Sequence, residues 1–188
     1  KYVGIWWEMH LGKSEWSYSR TAGGPPHGRH GATTENTKRY IDFAAANNIG
    51  AVLIEGWNTG WENWIGTANR EGIFDFVTPY PDFNMAEVVR YAKEKGVQLI
   101  MHHETSAAVS TYEKQMDTAF RLMERFGYQM LKTGYVGTII PKGEYHHNQR
   151  MIRHYVNVLK KAAQHKVAVN SHESMMPTGL RRTLPNDI

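Results

Sequence analysis

Two short apolar runs in this sequence end in the same chemistry. Val97-Gln98-Leu99-Ile100-Met101 leads into His102-His103-Glu104, and Val167-Ala168-Val169-Asn170-Ser171 leads into His172-Glu173. Runs of this length fit strands buried on both faces, and ionisable groups at the carboxyl ends of parallel strands point to where α/β folds hold their sites. Two carboxylates at one mouth, with imidazoles beside them and aromatic loops nearby, suit cleavage of a glycosidic bond. That reaction needs an acid on the leaving oxygen and a carboxylate acting on water or carbon, and Trp or Tyr faces stack on sugar rings. Glu104 and Glu173 are the pair to examine. The competing reading of each is a structural carboxylate bonded to a neighbouring loop, which is the weaker one at a strand end of this kind.

The histidines also admit a divalent metal, held by His102, His103 and His172 with the two glutamates. Adjacent residues on a strand point to opposite faces, however, so His102 and His103 cannot both look into one site. An inward imidazole serves a sugar hydroxyl as well as it serves a metal. His146-His147 precedes a predicted helix and reads as surface.

The elements that must position these residues alternate regularly. A strand over Tyr2 to Trp7 is followed by a Gly/Pro-rich loop, Ala22 to Gly28. A helix starting near Thr33 or Thr34 carries Ile41, Ala44 and Ala45 inward and stops at Asn47-Asn48. A second strand, Ala51 to Glu55, leads into a segment with Trp57, Trp61 and Trp64. Asn84 with Glu87 resembles a capping box opening a second helix that Gly96 ends, and the third strand follows at once. Ser110 with Glu113 makes a further capping box, for a helix with Tyr112, Met116, Ala119, Phe120 and Met123 on its apolar stripe, closing at Gly127; core packing accounts for that stripe. A fourth strand lies within Gln129 to Val136, a helix runs from Asn148 to His165, and a fifth strand covers Val167 to Asn170.

Strands alternating with helices predict βαβ units on a parallel sheet, in either an open doubly wound sheet or a barrel. No G-x-G-x-x-G or phosphate-binding loop follows the first strand. Polar groups stand instead at every strand end: Glu8, Glu55, His102 to Glu104, Lys132, and His172 with Glu173. The pattern predicts an α/β chain folded as a (β/α)8 TIM barrel, present as roughly its first five βα units, because a whole barrel takes about 250 residues. The segment from Arg181 to Ile188 reads as the loop leaving the fifth strand.

Composition narrows the function classes. Hydrophobic residues make up 41% and charged residues 21% of the 188-residue chain, as in ordinary globular proteins. No apolar run is long enough for a membrane span, and the start, Lys1-Tyr2-Val3-Gly4-Ile5-Trp6, lacks a signal-peptide pattern. The absence of cysteine removes disulfides and thiolate metal sites. The net charge of +4 is scattered along helices among Glu and Asp rather than gathered in a stripe, which argues against nucleic acid as a partner.

The strings KYVGIWWEMHLG, GATTENTKRYIDFAAANNIGAVLIEGWNTGWE, GVQLIMHHETSAAVS, LKTGYVGTIIPKGEYHHNQRMIRHYVNVLKKAA and KVAVNSHESMMPTGLRRT closely resemble glycoside hydrolase family 97, in particular its SusB-type α-glucosidase branch, over essentially the whole chain. The resemblance implies that residues 1–188 form part of a catalytic barrel which in the family is flanked by β-sandwich-type domains. It implies calcium dependence, a periplasmic setting in Bacteroides-like bacteria and an oligosaccharide substrate. Matched position by position, Glu104 and Glu173 correspond to the glutamates that activate water in inverting members. Glu173 also corresponds to a calcium ligand, and His102, Lys132 and His172 to substrate-contacting positions. Gly134 stands where retaining members carry a nucleophilic Asp, which favours inversion; the general acid and further calcium ligands fall beyond Ile188 in the family.

From the resemblance, an inverting α-glucosidase leads, ahead of a retaining α-galactosidase of the same family and a catalytically silent carbohydrate-binding relative. A metal-dependent isomerase or amidohydrolase barrel would require at least three converging inward His or Asp ligands. The isolated chain is expected to be inactive, to bind calcium weakly or not at all, and to self-associate through the unclosed sheet.

Overall fold

The computed structural model describes residues 1–64, 69–176 and 178–188. Five parallel strands form one sheet in the order β1-β2-β3-β4-β5: β1 Tyr2–Gly4, β2 Ala51–Leu53, β3 Gln98–Glu104, β4 Met130–Gly134 and β5 Ala168–His172. The intervening helices are α1 Trp6–His10, α2 Thr34–Ala46, α3 Met85–Glu94, α4 Val109–Phe126 and α5 Gln149–Gln164. Neighbouring strands in sequence are neighbours in space, each joined through a helix, and the sheet is not closed. This is the expected α/β architecture of a partial (β/α)8 barrel.

Strand alternation divides the side chains into two layers. Val52, Ile54, Leu99, Met101, Leu131 and Val169 point outward and pack with Ile41, Ala44, Val88, Phe120, Met123 and Leu159 of the helices in the main core. The inner face begins with an apolar layer, Ala51, Leu53 and Ile100 with Trp6 and Met130 against them. Above it the register sets His102 beside Lys132, and then Glu104 beside Gly134 and Gly134 beside His172. The apolar floor thus fixes the height at which the polar groups emerge.

Several local expectations are corrected. The first strand ends at Gly4 rather than Trp7, because the chain turns at Ile5 into α1 and the Trp6 indole folds back over Gly4, where a Cβ would lie 2.6 Å from Trp6 Cδ1. Glu8 is therefore on a helix, not at a strand end; it accepts hydrogen bonds from Ser14, Arg39 and Tyr40, so it does not face the shared mouth. Ser110 and Glu113 form no capping box. The α4 cap is Ala108, without a side-chain bond, and the Val109 N–H is taken by the Ile140 carbonyl at 3.3 Å. Ser110 instead accepts from Arg150, and Glu113 reaches His154 at 2.8 Å.

Asn84 caps α3 through the Glu87 N–H, but Glu87 pairs with Lys38 rather than returning the bond. Strand β2 stops at Leu53, short of Glu55, and β5 extends to His172. The last residues are not a plain loop. A 3-10 turn covers Leu180–Arg182, and Asn186 to Ile188 lie along the β5 edge, with Val169 N–H bonded to Asn186 O at 2.7 Å and Ile188 N–H to Val169 O at 2.9 Å.

Candidate functional site

Glu104 is the centre of the inner face. Its side chain is almost wholly buried, and its Oε1 accepts N–H bonds from Ser106 at 2.7 Å and Val136 at 3.2 Å. The Ser106 amide is delivered by a turn in which Ser106 and Ala107 both hold left-handed φ, 53° and 58°. Non-glycine residues rarely adopt that conformation, at a cost of order 1–3 kcal/mol each, and it clusters at functional sites. Thr105 ties this turn to β4 through Oγ1 to the Gly134 carbonyl at 2.7 Å. Burial pushes the Glu104 carboxyl up to about 7; the two amides oppose that rise, and the charges of Glu173 and Glu55 add to it.

Oε2 faces the other way, into the space above Gly134, where His172 Nε2 lies 3.6 Å off. A Cβ on residue 134 would come 1.9 Å from Glu104 Oε2 and 2.4 Å from His172 Nε2. Gly134 is thus the gap across which strands β3 and β5 meet. His172 Nδ1 lies 3.2 Å from Glu173 Oε2, and burial lowers the His172 pKa, helped by Lys132 and opposed by Glu173.

One layer down, the fully buried His102 ring is held near-parallel to His172, with centroids 6.3 Å apart, and to Trp61 at 5.8 Å; Trp61 in turn stacks on Trp16. Burial brings the His102 pKa down to about 4, so the ring is neutral at pH 7. Lys132 donates to Glu55 Oε1 at 2.9 Å and Trp16 Nε1 to Glu55 Oε2 at 3.3 Å. Burial works to raise the Glu55 carboxyl, yet the net shift is downward; with His102 neutral, Lys132 is the cation that keeps Glu55 ionised.

His102, Glu104, Lys132 and His172 accordingly share the inner face. Glu173 stands at its rim on a left-handed residue (φ 57°), half-exposed, with its side chain turned to His172. His103 points away, as strand parity requires, with Nδ1 at 3.0 Å from the Tyr112 hydroxyl behind the sheet. His146, expected at the surface, is half-buried, with its ring nitrogens 2.7 Å from Glu173 O and 2.9 Å from Gly137 O, so it links the loops after β4 and β5. A cleft of about 710 Å³ lies elsewhere, between α1 and α2 around Trp7, Glu8, Arg39 and Phe43. An open sheet offers its inner face no opposite wall, and the convergent carboxylates and imidazoles mark the site instead.

This combination of sheet, strand-end glutamates and glycine gap can be set against known proteins. The family model described as Glycoside hydrolase 97 matches residues 6–188. The chain belongs to glycoside hydrolase family 97. It is similar to a Glycoside Hydrolase Family 97 enzyme from Pseudoalteromonas sp. strain K8 solved in complex with acarbose, at 46% identity and a TM-score of 0.86, covering 98% of this chain and 28% of that one. A variant of that enzyme in complex with panose matches with the same TM-score of 0.86 and 46% identity, over 98% of this chain and 28% of that one. A probable retaining alpha-galactosidase of Streptomyces bingchenggensis (strain BCW-1) is 28% identical, over 93% of this chain and 24% of its own length. A retaining alpha-galactosidase of Bacteroides thetaiotaomicron is 26% identical, over 83% and 20%. The family-97 chain thus spans about a quarter of the length of the curated relatives it matches.

Glu55, Trp16 and the Ser106–Ala107 turn are parts of this family-97 site that sequence reasoning left out of its candidate set. Glu55 carried a signal, its place just past a strand; the turn carried none, since neither Ser nor Ala announces positive φ. For calcium the fit is poor. Among the described residues, the cluster of three close ligand atoms is His102, Glu104 and His172, which offers two nitrogens, whereas calcium takes six to eight oxygens. Glu173 contributes one half-exposed carboxylate outside that cluster. Among the described residues, these groups do not by themselves fit a calcium ion.

Proposed function

We propose that this family-97 hydrolase cleaves α-glucosidic bonds of malto-oligosaccharides or related α-glucosides with inversion at the anomeric carbon, Glu104 acting as general base on water. The observation that carries the reading is the glycine gap. Residue 134 carries no side chain, and Glu104 Oε2 and His172 Nε2 stand where one would begin, so β4 presents no nucleophilic carboxylate beside Glu104. A water takes the nucleophile's part, and an acid across the bond, at roughly 6.5–9.5 Å from the base, leaves space for it.

The chemistry of each group supports its role. A base works best with a pKa near the working pH, and burial brings Glu104 there while two amides fix Oε1 and leave Oε2 free. Glu173, at the rim, keeps Glu104 basic by its charge and is the second contact for the water. Neutral His102 and His172, together with Lys132, supply donors and acceptors for sugar hydroxyls. The acarbose and panose complexes of the 46%-identical neighbour favour an α-glucoside over other sugars.

The names of the two curated relatives favour a second reading, retaining α-galactoside hydrolysis. Proton NMR of maltose and of aryl α-glucoside and α-galactoside digests by the full-length protein separates the two. Inversion releases the β-anomer of glucose first, and Glu104→Gln and Glu173→Gln abolish its release; first release of an α-anomer contradicts it.

A further inference from the structure

Among the described residues, His102 has no hydrogen-bond partner. Its ring is 1% exposed, and neither Nδ1 nor Nε2 makes a hydrogen bond; the nearest carboxylate, Glu55 Oε1, is 3.6 Å from Nε2. Polar atoms buried in this way are usually satisfied, so both ring nitrogens are open to a partner from outside the described residues. A sugar hydroxyl is one such partner. The surroundings of the ring also fit another. One ligand atom each from His102, Glu104 and His172 lies within 4.8 Å of the other two, and the missing side chain of Gly134 lets Glu104 Oε2 and His172 Nε2 converge over β4.

We propose that His102, Glu104 and His172 form a binding site for a divalent transition ion of the zinc type, which competes with sugar for the inner face. Zinc binds nitrogen and oxygen at about 2.0–2.2 Å in a tetrahedron, so two ligand atoms on one ion stand about 3.3–3.6 Å apart, and the present span, within 4.8 Å, closes with a shift of about 1–1.5 Å. His172, at the open end of β5, is the ligand with room to make it. Two imidazoles, one carboxylate and a vacant fourth position select zinc, copper or nickel over calcium and magnesium.

The supporting contacts are already in place. His172 Nδ1 faces Glu173 Oε2 at 3.2 Å, the carboxylate–histidine pairing that fixes the tautomer and leaves the Nε2 lone pair for a metal. Glu104 Oε1 is held by two backbone amides, which leaves Oε2 as the donor. An ion on Oε2 occupies the lone pair that a base needs, so binding suppresses hydrolysis. The site itself does not depend on which sugar the protein cleaves.

Calorimetric titration of the full-length protein with zinc chloride, in excess calcium, tests this. One zinc per chain is expected at micromolar affinity or tighter, weakened about tenfold or more in His172→Ala and in His102→Ala. Cobalt in its place should give the intense visible bands of a four-coordinate site, lost in His172→Ala. If His102→Ala does not fold, the partly exposed His172 and the cobalt spectrum carry the test. No zinc binding by the folded protein, or an affinity unchanged in His172→Ala, overturns the proposal. Zinc binding without α-glucoside cleavage would remove the hydrolase reading and leave this site standing; cleavage without zinc binding would do the reverse.

Discussion

Glu104 concentrates the tension of this site in one side chain. Burial lifts its carboxyl from 4.5 to about 7, so the native state favours the protonated form. The stability this group contributes is complete below its unfolded value and is lost as pH rises through about 7, a difference on the order of 3 kcal/mol. Glu104→Gln, neutral and of the same shape, should therefore raise the melting temperature more at pH 8 than at pH 5; an equal effect at both would contradict the burial argument. Gly134→Ala tests the gap. The added methyl must displace Glu104 Oε2 and His172, both far ends of side chains, so folding should survive while kcat/KM falls about a hundredfold, as misplacement by an ångström can cause. Wild-type activity in a folded Gly134→Ala would show that the two side chains need not meet there. At this scale the sequence was informative because parity on β3 separates His102 and Glu104 from His103. Which way Glu8 pointed was not legible, since that depended on the chain leaving the sheet at Ile5.

Elements were legible where apolar spacing had one solution. The stripe of α4, Tyr112, Met116, Ala119, Phe120 and Met123, is wholly buried, and Asn148 caps α5 by accepting the Met151 N–H at 3.0 Å. The Ser110–Glu113 pattern misled because the loop after β4 satisfies the start of α4 from outside the helix, which frees both side chains for α5. Thermal or urea unfolding distinguishes the two helix starts. Asn148→Ala should cost about 1 kcal/mol, and Ser110→Ala, which removes only an exposed contact, a few tenths. Equal losses would restore the capping box. The strained Ser106–Ala107 turn, which presents an amide to Glu104, was invisible because tertiary contacts alone impose its conformation.

The whole molecule is a sheet of five strands with two unlike edges. Asn186 to Ile188 partly cover β5, whereas β1 ends the sheet on the other side, near the exposed Tyr2, Trp7 and Leu11. An uncovered parallel edge beside apolar surface invites pairing, so the 188-residue chain should self-associate with rising concentration in light scattering; a monomer throughout would contradict this. Alternating strands and helices made the α/β class and strand order readable, while the glycine gap needed three strands in register before Gly134 acquired meaning. That gap bears the central claim, and the anomeric proton spectrum of a maltose digest by the full-length protein reports on it most directly. β-Glucose appearing first, and absent with Glu104→Gln, is the predicted result; α-glucose appearing first would mean that a covalent nucleophile operates where this account has only water.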